Sequence, residues 1–89
     1  MSQAAAGLLD FPCDFPVKAF GLAEPDFAGH VLALVRRHAP ATPEEAVGVR
    51  PSRAGKYCSV TVRVRAESQS QLDAIYRELT GSPRITMAL

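Results

Sequence analysis

Hydrophobic and polar positions alternate most regularly over residues 57–66. Cys58, Val60, Val62, Val64 and Ala66 hold one phase, and Ser59, Thr61, Arg63 and Arg65 hold the other. Period two in a run this rich in β-branched residues predicts a strand buried on one face. The preceding stretch, Pro51-Ser52-Arg53-Ala54-Gly55-Lys56, has the chemistry of a turn. Before it, Val47 and Val49 alternate with Gly48 and Arg50, so the two segments predict a β-hairpin. Near the start, Phe15, Val17 and Ala19 alternate with Lys18 and Phe20, a first strand closed by Gly21. At the end, Ile85, Met87 and Leu89 alternate with Thr86 and Ala88, a short last strand.

Two segments change to helical spacing. Phe27, Val31, Leu34 and Val35 form one stripe, with Pro25 placed for the first turn and Pro40 to end the helix. Leu72, Ile75, Tyr76 and Leu79 form the other. Ser68-Gln69-Ser70-Gln71 ahead of it is a capping box, with Ser68 as N-cap and Gln71 reaching back. Gly81 and Pro83 stop this second helix. The order β-α-β-β-α-β predicts a ferredoxin-like α/β (α+β) sandwich: a four-stranded antiparallel sheet, order 4-1-3-2, with two helices on one face. Residues 11–89 form this single domain, and residues 1–10 a flexible lead-in.

Composition narrows the class. The chain has 89 residues, 47% hydrophobic and 21% charged, which fits one ordinary globular domain and leaves no room for a two-domain cleft. A net charge of +1 supplies no strong field toward nucleic acid or a membrane surface. The first ten residues contain no basic side chain and no long apolar run, so they do not read as a signal peptide. Cys13 and Cys58 lack metal-ligand spacing. The topology sets them at opposite ends of the sheet, on the order of 25 Å apart, too far for a disulfide. Reduced thiols predict a cytoplasmic protein.

Charge is uneven along the chain. Arg50, Arg53, Lys56, Arg63 and Arg65 lie between residues 46 and 66 with no acid among them. Strands one and three are central neighbours in the predicted sheet. The end of the first, at Gly21, therefore meets the start of the third, at Tyr57. That end also gathers the start of the first helix, the hairpin loop and Arg84. A helix N-terminus beside cations is a generic anion site. Gly21, Arg50, Ser52, Arg53, Lys56 and Tyr57 are the candidate residues for a small anionic effector, and Glu24 and Asp26 are the acids that already answer the helix dipole. The loop after strand one, Gly21-Leu22-Ala23-Glu24-Pro25, puts an acid where an acylphosphatase-like phosphate loop needs a cation.

The open face of the sheet is a second candidate surface. Lys18 and Phe20 on strand one and Arg63 and Arg65 on strand three face solvent in this topology. Aromatics beside arginines outline an RNA-binding sheet, but the middle of strand three offers Ser59 and Thr61 rather than rings. The face suits a protein partner, or a homodimer, better than nucleic acid. His30 and His38 are eight residues apart on one helix, about 12 Å, so they do not share a metal. No nucleophile–base spacing and no cofactor motif stands out, and the chain reads as non-catalytic with no cofactor.

Several segments together resemble the YbeD-like family of small bacterial proteins. They are Phe11-Pro12-Cys13-Asp14-Phe15-Pro16-Val17-Lys18-Ala19-Phe20-Gly21, Val35-Arg36-Arg37-His38-Ala39-Pro40, Arg50-Pro51-Ser52-Arg53-Ala54-Gly55-Lys56-Tyr57, Ser59-Val60, Ile75-Tyr76-Arg77-Glu78-Leu79 and the closing Ile85-Thr86-Met87-Ala88-Leu89. The resemblance implies an ACT-like sandwich, in agreement with the element order. It also implies a regulatory or adaptor role, with an association to lipoate metabolism through neighbouring genes. Many ACT domains carry an Asp-x-Pro-Gly turn after the first strand; here Gly21 alone matches it. The sequence therefore predicts a small regulatory or adaptor module for an anionic effector or a protein partner, with RNA binding on the open face as the alternative.

Overall fold

The computed structural model describes residues 9–89. The elements run β1 (Cys13–Leu22), α1 (Phe27–Arg36), β2 (Val47–Pro51), β3 (Tyr57–Ala66), α2 (Gln69–Thr80) and β4 (Ile85–Ala88), with a 3-10 turn at Glu44–Ala46. The strands form one antiparallel sheet in the order β2-β3-β1-β4. This is the ferredoxin-like arrangement that the residue pattern predicts. The lead-in expected over residues 1–10 lies, through residue 8, outside the described residues.

Alternation becomes burial. Val17, Ala19, Val60, Val62, Val64 and Ala66 are fully buried against the helices, while their neighbours Lys18, Arg63 and Arg65 are exposed. Phe27, Val31, Leu34 and Val35 from α1 and Leu72, Ile75 and Leu79 from α2 close the core. Leu32 joins it as well, which widens the α1 stripe toward β2. Val49 faces inward by register, opposite Val60, yet is 56% exposed. It lies on an edge strand whose far end the helices do not cover.

Pro16 sits inside β1, a position that normally rejects proline because a ladder hydrogen bond is lost. Here Lys18 exchanges both backbone hydrogen bonds with Leu89, at 2.9 and 2.8 Å, so its N–H points toward β4. Pro16, two residues earlier, turns its nitrogen the same way, beyond the reach of β4. The missing donor therefore costs no ladder bond.

The helix ends refine the expectations. Ser68 caps α2 as expected, its hydroxyl accepting from the Gln71 N–H at 3.1 Å. Gln71 reaches back one residue further than a capping box requires, accepting from the Glu67 N–H at 2.7 Å. Its amide also donates to the His38 carbonyl at 2.8 Å, tying the start of α2 to the turn that follows α1. Pro25 stands before the Asp26 N-cap rather than inside the first turn of α1.

Among the described glycines, Gly21 has the closest surroundings. β1 shifts register against β4 between Phe20 and Gly21. A Cβ at Gly21 would lie 2.5 Å from the Arg84 carbonyl oxygen and 2.6 Å from Phe27 Cζ. Gly21→Ala should therefore lower stability by about 1–3 kcal/mol through overpacking. Urea denaturation reads this directly, and an unchanged midpoint would show that the α1 start yields instead.

Candidate functional site

Among the described residues, none covers the face of the sheet away from the helices. Its outward residues fall into cross-strand rows set by the ladder. Arg50 of β2, Ser59 of β3, Phe20 of β1 and Met87 of β4 form one row. Gly48, Thr61 and Lys18 form the next, and Arg63 and Pro16 the one after. Lys18, Phe20, Arg50, Ser59, Thr61 and Arg63 line one trough of about 690 Å³. A smaller cleft of about 230 Å³ opens from its upper end, between Phe20, Pro51, Tyr57 and Cys58, and shares Phe20, Arg50 and Ser59 with the trough. Asp14 supplies the only carboxylate side chain on the outward rows of β1, β2 and β3, and Arg65 already reaches it at 3.5 Å. The face is thus cationic over its centre. It is apolar along one flank, where Met87 is 50% exposed and Leu22 44%.

The two groups of residues singled out in the sequence are redistributed. Arg50, Ser52 and Tyr57 from the hairpin group join Lys18, Phe20 and Arg63 from the open-face group around these joined depressions. Arg53, Lys56 and Arg65 lie outside their lining, and Lys56 instead places its ammonium 5.6 Å from the Tyr57 ring. The space beside Gly21 is taken by Phe27 and the Arg84 backbone. Arg84 is the cation that reaches the start of α1, and it donates to Asp26 at 2.7 Å and to Glu24 at 3.0 Å. Ser52 has a structural task. Its carbonyl accepts from Gly55 N–H at 3.0 Å, and its hydroxyl takes the Tyr57 N–H at 3.1 Å. Gly55, at φ +78°, supplies the left-handed residue of that loop.

The opposite side of the molecule carries a groove of about 500 Å³ between α1 and α2. Glu78 accepts there from Arg37 at 3.0 Å and pairs with His38 at 3.2 Å. His30 Nε2 and the hydroxyl of buried Ser82 share a 2.8 Å hydrogen bond. Ser82 also accepts from the Arg84 N–H at 3.3 Å, so the contact pins the α2–β4 turn to α1. Nothing in the sequence spacing marks this pair, whose members are 52 residues apart. Among the described residues no three His, Cys, Asp or Glu side chains group around a metal position. No helix among them is long and apolar enough to cross a membrane.

A family model described as a protein of unknown function, DUF493, matches residues 6–89. The chain belongs to the DUF493 family. A UPF0250 protein of Paraburkholderia phymatum is 44% identical over the full length of both chains. A UPF0250 protein of Neisseria gonorrhoeae is 45% identical over 84 residues, 94% of this chain and 92% of that one. These findings are consistent with the YbeD-like resemblance. The solution structure of HP0495 from H. pylori superposes with a TM-score of 0.71, covering 94% of this chain and 88% of that one. At 13% identity that likeness bears on the fold alone.

Two carboxylates of this DUF493 domain are held below their ordinary range. The hydrogen bond from Arg84 lowers Asp26, and the hydrogen bonds from His38 and then Arg37 lower Glu78. The unfolded chain, with ordinary values of 3.8 and 4.5, therefore takes up these protons first as pH falls. Their contribution is fully present above that range and is lost as pH drops through and below it. Urea midpoints measured from pH 6 down to about pH 3 should fall less steeply in Asp26→Asn/Glu78→Gln than in the wild type. Parallel curves would show that the pairs add nothing in solution.

Proposed function

We propose that this protein is a non-catalytic adaptor or regulatory module whose open sheet face docks an acidic surface of a protein partner. The observation that carries the reading is the joining of Lys18, Arg50 and Arg63 with Phe20 in one trough. The one acid on the neighbouring outward rows, Asp14, is already engaged by Arg65. Complementary charge steers such an encounter, and the half-exposed apolar flank supplies area that loses water on contact.

Three competing readings are weaker on physical grounds. A small anion at the start of α1 would compete with Glu24 and Asp26 for Arg84. Two copies packed face to face would set cations against cations. A single-stranded RNA would find Ser59 and Thr61 where a stacking platform needs rings.

The test uses polyglutamate as an acidic probe, oligouridylate as the nucleic-acid control, and lipoate, octanoate and free amino acids as small effectors. Wild-type protein should bind polyglutamate with an affinity that falls as salt rises. Arg50→Glu/Arg63→Glu should weaken binding at least tenfold and leave the thermal midpoint nearly unchanged, because both side chains are exposed. Tighter binding of oligouridylate than of polyglutamate would overturn the reading in favour of RNA. A saturable thermal shift with a small effector and none with polyglutamate would overturn it in favour of the effector.

A further inference from the structure

The trough and the cleft beside it differ in chemistry and have a fixed separation. The cleft is walled by Phe20, Pro51 and Tyr57 and has room, at about 230 Å³, for one aliphatic side chain. Arg50 stands at the junction of the two depressions. Lys18 lies one outward row below Phe20, and Arg63 lies one row below that, opposite Pro16. Successive outward rows of a strand are roughly 6.7 Å apart, and an extended ligand places alternate side chains at the same interval. Cationic positions therefore recur at the spacing of every second residue of an extended chain, starting from an apolar socket.

We infer that the face takes an extended acidic segment whose one apolar side chain fills the Phe20–Tyr57 cleft, with carboxylates two and four residues along. This rests on the acidic-partner reading above and specifies the partner's chemistry. Arg50 stands beside the anchor's own row, the carboxylate two residues from the anchor meets Lys18, and the carboxylate four residues away meets Arg63. The segment lies flat over the face instead of adding to the β2 edge. That edge is poorly suited to strand addition. Ser52 pairs with Tyr57 through its N–H, so in the antiparallel alternation the backbone groups of Val47, Val49 and Pro51 point away from β3, toward the open edge. Pro51 has no N–H, and the Val47 N–H is already given to the Glu44 carbonyl. Val49 is left with the one free donor on that strand.

Fluorescence anisotropy with labelled peptides tests the inference. One peptide carries leucine with glutamates at the second and fourth positions after it, separated by glycines. A second reverses the order, and two more replace leucine by serine in each order. One of the two leucine peptides should bind about tenfold tighter than its serine counterpart, as expected for burying one aliphatic side chain. Tyr57→Ser, at an exposed position that leaves the core intact, should erase that advantage. Arg63→Gln should weaken the peptide with the distal glutamate and leave one with glutamine there unaffected. Equal binding of leucine and serine peptides, with polyglutamate still bound, would overturn the anchored segment and spare the acidic-partner reading. Failure of every acidic probe would overturn both.

Discussion

Ten consecutive residues of β1 pair antiparallel with ten of β3, from Cys13 opposite Ala66 to Leu22 opposite Tyr57, without a break in register. The rest of the structure depends on that ladder. Because side chains alternate along a strand, the register decides at once which ten positions face the helices and which ten face outward. The inward set, led by Val17, Val60, Val62 and Val64, is the floor on which α1 and α2 pack. The outward set contains Lys18, Phe20, Arg63 and Arg65. A slip of one residue would bury the cations and expose the valines, so the core and the candidate surface are specified by the same hydrogen bonds.

The parts of this arrangement that the sequence makes legible are those governed by local period. The valine alternation of β3 and the Ser68 cap of α2 need only near neighbours, and the structure holds both where the pattern sets them. The order of strands follows from the element order, because few connections are compatible with two β-α-β units. What local period does not carry is the environment of an edge. Val49 has the phase of a core residue and lies opposite Val60, yet on the edge strand it stays exposed. Gln71 shows the same limit at a helix end. Its amide bonds both the Glu67 N–H and the His38 carbonyl, and the second partner is set by tertiary packing alone.

The candidate site was half legible for a related reason. Each residue around the trough and cleft is identifiable from strand phase or turn chemistry, but their grouping depends on pairing across three strands. Arg50 belongs by sequence to the hairpin. It belongs by register to the row of Ser59 and Phe20, and that row places it on the open face. Arg84 goes the other way. It neighbours the hairpin loop in the topology, yet Glu24 and Asp26 hold it at the start of α1, where its own ionisation is further favoured by Asp26. Gly21, a candidate for the effector on sequence grounds, has the space beside its Cα filled by the Phe27 ring.

A net charge of +1 conceals this sorting. Glu24 and Asp26 lie around the start of α1, Glu44 and Glu45 in the turn before β2, and Asp73 and Glu78 on α2. The central strands turn Lys18, Arg63 and Arg65 the other way. Arg36, Arg37, Arg77 and Arg84 lie on or beside the helices too, and Arg37 and Arg84 pair there with Glu78, Glu24 and Asp26. The charges nearly cancel in the total, and the open face still keeps a local cationic field, because charges separated by more than about 8–10 Å are largely screened from one another at physiological salt. The open face therefore presents its own cations and little of the charge behind the sheet. The total charge excludes a strongly basic protein. The register of β1 and β3, by contrast, determines which side chains the open face presents to solvent.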